Sequence, residues 1–205
     1  MPGKTVIIDC GEGNINSVHK MMAKISSGTS VTSSPADIDK ADKIILPGIG
    51  HFQKAMEAMK RYGLLGPLND AVLTRKKPIL GICLGMQLMA HSSEEGNSTG
   101  LGWMDGEVVR FDSRLQELKI PHMGWNTISI KRPGLLMNKI TRGAEFYFAH
   151  SYHWKARDPA EIICETNYGV SFPSGIEKEN IFGVQFHPEK SHDDGLQLLR
   201  NFAAL

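Results

Sequence analysis

A short apolar run that ends on a cysteine between two glycines constrains this 205-residue chain more than any other stretch. The aliphatic segment 79–82 reads as a buried strand, and apolar residues at helical spacing follow Cys83. Gly81 and Gly85 flank the cysteine in a G-x-C-x-G pattern, the form of a nucleophile elbow with sulfur in place of the usual serine oxygen. A tight strand-to-helix turn crowds its neighbours, so its flanking residues must be small. The pattern predicts that Cys83 stands at the edge of a sheet.

The predicted elbow favours nucleophilic chemistry at Cys83. A cysteine in the first turn of a helix lies at the positive end of the helix dipole, which stabilises thiolate over thiol. The backbone N–H of Leu84 would have no partner within the helix and could point at a developing oxyanion. The alternative is that Cys83 is a small apolar residue in a core strand, the commonest fate of a free cysteine. The elbow by itself leaves both interpretations open.

Composition narrows the class of protein. With 41% hydrophobic and 22% charged residues and a net charge of +1, the chain reads as one globular domain over 1–205. No basic run is interleaved with aromatic residues and no apolar stretch approaches membrane-spanning length, so neither nucleic acid nor membrane is expected as a partner. Three widely spaced cysteines are not a disulfide framework, and the N-terminus does not resemble a signal peptide. A reducing cytoplasm fits these features best.

The first half of the chain alternates predicted strands and helices. Apolar runs at 5–9, 43–46 and 79–82 read as buried strands. Helical spacing follows the first two of them, beginning after Asn14, the expected N-cap, and at Phe52. This alternation predicts a parallel sheet covered by helices on both faces.

The second half reads differently. A polar, glycine-containing segment over 92–100 is expected to be a loop. Shorter strands and a closing helix are predicted after it: strands over 107–111, 126–130, 146–154, 161–166, 172–176 and 181–186, the last two joined as a hairpin, and an amphipathic helix over 195–205. We therefore expect an α/β fold with a central, mostly parallel or mixed sheet flanked by helices, and with an additional antiparallel sheet.

Two glycine-rich turns follow the first two predicted strands. The first holds Gly11 and Gly13, but Asn16 stands where a dinucleotide-binding loop needs its third glycine, so no such cofactor is expected. A tight turn and a loop that meets a ligand or partner both remain open for it. The second turn holds Ile49 and Gly50 at the sheet edge shared with the elbow. It could donate a second oxyanion N–H or be only a glycine-rich turn.

A histidine and a carboxylate end the last predicted strand. His187 and Glu189 stand on either side of Pro188, and residues i and i+2 of an extended segment face the same way, so Glu189 can reach the imidazole. A carboxylate in that place fixes the tautomer and stabilises the imidazolium, as a base and its orienting partner require. Joined to the elbow, the pair predicts a Cys83–His187–Glu189 triad.

Other candidate ligands do not form a site by their spacing. His150, His153 and Cys164 match no common zinc pattern, so no metal is expected. Cys10 and Cys164 read as buried rather than reactive side chains.

These motifs together resemble the class I glutamine amidotransferases of the triad type. Five segments, 47–52, 81–87, 121–126, 147–152 and 185–191, occur in the order and spacing of one branch, the glutaminase subunit of imidazole glycerol phosphate synthase. The hexapeptide Pro-His-Met-Gly-Trp-Asn at 121–126 is particularly specific to that branch. The resemblance implies a flavodoxin-like sheet and catalysis without a cofactor.

The resemblance also implies a mechanism and a set of roles. Cys83 would attack the side-chain amide of glutamine, His187 would protonate the leaving ammonia, and water would hydrolyse the thioester to glutamate. Oxyanion, glutamine-binding and partner-contact roles carry over to matching positions: Leu84, Ile49 and Gly50 for the oxyanion; Gly50, Gln87, Glu95, His150 and Ser151 for glutamine; Asn14, Met123, Tyr147 and Lys190 for the partner. The implied partner is a TIM-barrel cyclase, in a heterodimer, that receives the ammonia through a tunnel.

Three alternatives remain beside this hypothesis. A paralogous glutaminase subunit that feeds a cyclase-like partner in surface-sugar biosynthesis would carry the same motifs. A non-catalytic binding module with this fold would have lost Cys83, His187 or Glu189, and all three are present. A stand-alone cysteine hydrolase or protease would have no need of the hexapeptide.

Overall fold

The computed structural model describes residues 3–11, 14–112 and 119–205. In chain order its elements are β1 Thr5–Ile8, α1 Ile15–Ala23, β2 Thr29–Thr32, α2 Pro35–Lys40, β3 Lys43–Gly48, α3 Phe52–Arg61, α4 Leu65–Asn69, β4 Ile79–Cys83, α5 Leu84–Gln87, β5 Ser92–Ser93, β6 Ser98–Thr99, β7 Gly106–Arg110, β8 His122–Thr127, β9 Ser129–Ile130, β10 Glu145–His150, β11 Tyr152–Ala156, β12 Ile162–Tyr168, β13 Val170–Lys178, β14 Ile181–Val184 and α6 His192–Ala203. A π-helical turn, Asp70–Thr74, extends α4, and 3₁₀ turns cover Pro159–Glu161 and Pro188–Lys190.

A mixed eight-stranded sheet forms the centre of the fold, in the order β2-β1-β3-β4-β14-β13-β12-β9. The first five strands of that order are parallel to one another. The last three join antiparallel, beginning with the predicted hairpin between β13 and β14. The predicted α/β fold with a mixed central sheet is therefore confirmed.

Both faces of this sheet are covered, and β1 illustrates how. Val6 and Ile8 point into one hydrophobic core and Ile7 into the other, because successive side chains of a strand face opposite ways. Helices α2, α3 and α4 cover the first face, and α1 and α6 cover the second. A strand buried on both sides must be apolar throughout, and for this reason β1 could be predicted from the sequence.

The strand predicted over 146–154 is wrong as a single element. It is two strands, β10 and β11, that belong to different sheets and are separated by a bend at Ser151. Phe146 and Phe148 lie in the core beneath α6, whereas Trp154 lies in the core on the opposite side of the main sheet. Because large residues keep their alternate spacing across the bend, the sequence pattern does not reveal it.

Other predicted boundaries also change. One additional sheet was expected, and the described residues form two: β10 pairs with β8, and β11, β7, β5 and β6 form a four-stranded sheet. The predicted loop over 92–100 contains β5 and β6, whose serines and threonine pair through backbone groups alone. The strand predicted over 126–130 begins at His122 and divides into β8 and β9, and the last helix begins at His192 rather than at residue 195.

The carboxyl ends of the parallel strands meet at one edge, where ligands bind in open α/β sheets. Asn14, the loop at Ile49, Cys83 and His187 follow β1, β3, β4 and β14 respectively at that edge. Gly13, in the first glycine-rich turn, lies outside the described residues. Among the helices of the described part, none is long and apolar enough to cross a bilayer.

Candidate active site

The elbow has the strained backbone geometry of a nucleophile at a tight strand-to-helix turn. Cys83 ends β4 directly before α5, with φ 54° and ψ −110°, a conformation that costs a non-glycine residue about 1–3 kcal/mol. A Cβ at Gly81 would lie 2.6 Å from the backbone nitrogen of Met86, and one at Gly85 would collide with the carbonyl oxygen of Leu46. Both glycines are therefore required for α5 to pack against the sheet, which confirms the steric reason for the pattern.

His187 and Glu189 form a buried, hydrogen-bonded pair beside the elbow. Nδ1 of His187 lies 2.8 Å from Oε1 of Glu189, and Asn14 donates from Nδ2 to the same oxygen at 3.3 Å. The expected extended geometry is wrong, because the 3₁₀ turn Pro188–Lys190 folds the carboxylate back toward the ring. A carboxylate only accepts, so Nδ1 carries the proton. Nε2 is buried and has no hydrogen-bond partner within the described residues.

The pair is arranged to keep the imidazole protonated. Burial alone, the largest single effect, lowers the pKa of His187. An electrostatic contribution from the Cys83 sulfur acts against burial, and Glu189 adds a hydrogen bond and its own charge, so the pKa of His187 is raised to about 10. A protonated His187 imidazole therefore lies beside the Cys83 sulfur in a buried site.

A cavity of about 170 Å³ opens beside Cys83. Its walls include every residue predicted for the oxyanion hole or for glutamine: Leu84, Ile49, Gly50, Gln87, Glu95, His150 and Ser151. A wider surface groove of about 590 Å³ beside Trp125 contains none of them. Within the described ranges, no three or more His, Cys, Asp or Glu side chains are grouped so as to hold a metal ion.

Comparison with known proteins assigns the chain to a family. The family model described as "Glutamine amidotransferase class-I" matches residues 6–204. The chain belongs to the class I glutamine amidotransferases.

Individual relatives of this amidotransferase span its whole length. Imidazole glycerol phosphate synthase subunit HisH 2 of Pseudomonas aeruginosa is 42% identical over 98% of each chain. Subunit HisH 1 of Campylobacter jejuni is 46% identical over 97% of this chain and 98% of its own. Among solved structures, PurLQS from Thermotoga maritima has a TM-score of 0.75 and covers 98% of both chains at 18% identity, a likeness of fold alone.

Two of the predicted glutamine-binding side chains of the amidotransferase already make hydrogen bonds within the protein. Oε2 of Glu95 accepts the backbone N–H of Phe52 at 2.8 Å and so completes the N-terminus of α3. Nε2 of Gln87 donates to the carbonyl oxygen of Tyr152 and to Oε1 of Gln185, each at 2.9 Å. Since both amide hydrogens of Gln87 are engaged, a ligand in the cavity can meet only its amide oxygen.

His150 belongs to a chain of hydrogen bonds that sequence reasoning did not foresee. Its Nδ1 lies 2.8 Å from the Tyr152 carbonyl oxygen, so Nε2 is left to accept, and Nδ1 of His122 donates to it at 3.0 Å. Nε2 of His122 accepts in turn from Nδ2 of Asn126 at 3.2 Å. Burial lowers the pKa of His122 to about 4 and that of His150 well below its usual value, so both rings are neutral at pH 7.

The missed residues His122 and Asn126 lie in the hexapeptide at 121–126. Along β8 the polar His122 is buried, whereas Met123 and Trp125 are 64% and 46% exposed. The usual alternation of apolar-in and polar-out is thus inverted. Apolar residues at the alternate positions 123 and 125, with polar residues at 122 and 126, are the sequence signal that could have identified this inversion.

The residues predicted to contact a partner lie at the carboxyl edge of the parallel strands and along β8 and β10. The Lys190 ammonium lies 5.0 Å from the ring centroid of Tyr147, and the Tyr147 ring stands edge-on to Trp125. Asn14 differs from its prediction as a helix cap: it occupies the N-cap position of α1, but its side chain makes no capping bond and donates to Glu189 instead. This contact connects the first loop to the buried carboxylate.

Proposed function

We propose that this chain is the glutaminase subunit of an imidazole glycerol phosphate synthase, which hydrolyses glutamine to glutamate and ammonia in histidine biosynthesis. The observation that carries the proposal is the juxtaposition of Cys83, on a strained elbow that lines a cavity, with the buried His187–Glu189 pair. The full-length relatives named as HisH subunits support the choice of pathway.

In the proposed reaction, the Cys83 thiolate attacks the carboxamide carbon of glutamine and a tetrahedral oxyanion forms. The backbone N–H of Leu84 and one from the loop at Ile49 and Gly50 are suited to stabilise that oxyanion, since both segments line the cavity. The C–N bond then breaks, and the proton on Nε2 of His187 passes to the leaving nitrogen, so that ammonia and a thioester remain.

The second half of the reaction consumes water. Neutral His187 accepts a proton from the attacking water, the C–S bond breaks, and glutamate leaves while the thiolate and imidazolium are restored. Glu189 keeps Nδ1 protonated throughout and stabilises the cation. No resident cofactor or metal takes part in these steps as proposed.

The substrate would be an amino acid rather than a peptide. The cavity of about 170 Å³ is smaller than the ~300–1,000 Å³ of sites for drug-sized ligands. Within it we assign Gln87, Glu95, His150 and Ser151, together with Gly50, to glutamine binding. A protease would need a groove that continues on both sides of the nucleophile.

We further propose that a TIM-barrel cyclase is the partner and receives the ammonia in a heterodimer. Exposed Met123 and Trp125, beside Tyr147 and Lys190, offer apolar area of the kind that a partner covers. Three free cysteines, all buried, are consistent with a cytoplasmic location.

The test is glutamate release from glutamine, measured with and without the cyclase and its nucleotide substrate. We expect a low basal rate that rises when the loaded cyclase is added, and we expect no turnover by Cys83→Ala under either condition. Activation only by a cyclase-like protein of another pathway would keep the chemistry and reject the pathway. No glutamate from a folded protein under any condition would reject the enzyme.

A further inference from the structure

One buried side chain at the active site has no role in the steps above, and it points at the nucleophile. Gln185 is fully buried, and its Nε2 lies 3.7 Å from Sγ of Cys83, within the reach of an N–H···S hydrogen bond. Its Oε1 lies 2.9 Å from Nε2 of Gln87. The side chain therefore spans the gap between the helix that follows the elbow and the sulfur atom.

The orientation of the Gln185 amide is determined by its neighbours. The carbonyl oxygen of Tyr152 can only accept, so the atom of Gln87 that contacts it must be the nitrogen. The second hydrogen of that nitrogen points at Gln185, whose facing atom must then be the oxygen. The atom of Gln185 that faces Sγ of Cys83 is therefore the nitrogen, Nε2. The assignment thus follows from one fixed acceptor, the backbone oxygen.

The sulfur needs such a donor. Helix α5 is a single turn of four residues, so its dipole is a small source of stabilisation for an anion. On another side, Sγ lies 3.9 Å from the carbonyl oxygen of Ala149, whose negative end disfavours a thiolate. A hydrogen bond to the charged form of an acid stabilises that form.

We propose that Gln185 is a further catalytic residue, which donates a hydrogen bond from Nε2 to the Cys83 thiolate, and that Gln87 is the positioning residue that aims it. The proposal deepens the proposed glutaminase function and rests on Cys83 as its nucleophile. The bond is strongest in the free thiolate and weakens when sulfur becomes a neutral thioester. Gln185 therefore assists the second step, in which the thiolate is expelled as glutamate forms.

The test is the rate at which iodoacetamide alkylates Cys83 as a function of pH, followed by peptide mass mapping. Only the thiolate reacts, so the midpoint of the rate curve reports its stability without any turnover or partner. Cys10 and Cys164 do not interfere, because burial raises the pKa of each thiol to about 12 and each peptide is read separately.

We expect Gln185→Met to move the midpoint upward by about one pH unit, a roughly tenfold loss of thiolate below it. Gln185→Glu, which replaces the donor with an anion, should move it further. Gln87→Met should move it in the same direction by less, since it removes only the positioning bond. The matched control is Ser174→Ala, which removes a buried hydroxyl that is bonded to Thr166 and lies 3.5 Å from Sγ of Cys164 rather than beside Sγ of Cys83. Its Cys83 midpoint should equal that of wild type.

A midpoint in Gln185→Met equal to that of Ser174→Ala would overturn the proposal. If the Gln185 variants do not fold, the wild-type protein supplies the answer by amide NMR. The side-chain N–H of Gln185 should lie downfield and should move upfield when Cys83 is alkylated, and an unmoved resonance would also overturn it. A shifted midpoint without any glutaminase activity would reject the proposed function and leave the Gln185 bond in place.

Discussion

Two buried histidines that adjoin strand β10, His187 and His122, carry opposite charge states. His187 is 2% exposed and its pKa is raised to about 10, whereas His122, also 2% exposed, has its pKa lowered to about 4. Burial acts on both in the same direction, because it penalises the cation. Their partners differ: His187 faces a carboxylate and a sulfur, and His122 faces neutral Asn126 and His150.

The comparison teaches that partners rather than burial decide which histidine does acid–base work. It also predicts opposite responses to pH. A pKa raised above 6.5 gives His187 a stabilising contribution that is present below pH 6.5 and is lost as pH rises through about 10. A pKa lowered from 6.5 gives His122 a contribution that is present above pH 6.5 and is lost as pH falls through about 4.

The largest effect should come from removing the sulfur. Cys83→Ala should abolish glutamine hydrolysis. It should also lower the pKa of His187, because the Cys83 sulfur that raises this pKa is absent. The two readouts are glutamate release and the pH titration of the His187 ring by NMR. Wild-type turnover in the variant would remove Cys83 from the mechanism, and an unchanged His187 titration would break the comparison.

Substitution of the two residues of the His187–Glu189 pair should have graded effects on kcat. His187→Ala should reduce kcat by about 10²–10⁴-fold, and Glu189→Gln should reduce it less, because the base remains and only its orientation and charge partner are lost. The fall in activity at high pH should begin at lower pH in Glu189→Gln, since the carboxylate helps to raise the pKa of His187. Equal losses in both variants would mean that Glu189 does more than orient the ring.

The neutral histidine, His122, should make the free energy of unfolding depend on pH in the acidic range. Between pH 7 and pH 5 the protonation of unfolded His122 should cost wild type about 2 kcal/mol of unfolding free energy. His122→Asn keeps a donor near the position of Nδ1 and does not titrate, so its loss over this interval should be smaller by about that amount. Urea unfolding at both pH values measures the difference, with exposed His91→Asn as the control. The same loss in His122→Asn as in wild type would assign the acid sensitivity elsewhere.

The smallest effect should come from a surface charge. Lys190 lies over Tyr147 near His187, but its ammonium is exposed and screened by solvent. Lys190→Gln should move the pKa of His187 by less than about 0.3 unit. A larger shift, seen in the His187 titration, would show that surface cations help to set the charge of the buried site.

The sequence was sufficient for what depends on local sterics. The apolar runs of β1, β3 and β4 predicted the parallel part of the sheet, and the glycines at 81 and 85 predicted a nucleophile elbow. The elements themselves require these residues, because a strand buried on both faces has no place for polar side chains and the turn has no room for a Cβ. The Cys83, His187 and Glu189 set was predicted from motif spacing rather than from sterics, and the extended geometry assumed for His187 and Glu189 is wrong.

Only the tertiary structure decided where the polar side chains point. The division of 146–154 into β10 and β11 depends on which core receives Phe148 and which receives Trp154, and alternate spacing is the same in both cases. Gln185 and His122 are polar residues that any surface strand could carry. Gln185 becomes the proposed hydrogen-bond donor to the thiolate because distant segments bring Cys83 and Gln87 within hydrogen-bonding distance of it. His122 becomes part of a neutral chain of hydrogen bonds because His150 lies within the same reach. Long-range contacts of this kind, such as that between Gln185 and Cys83, 102 residues apart, leave no periodic mark on the sequence.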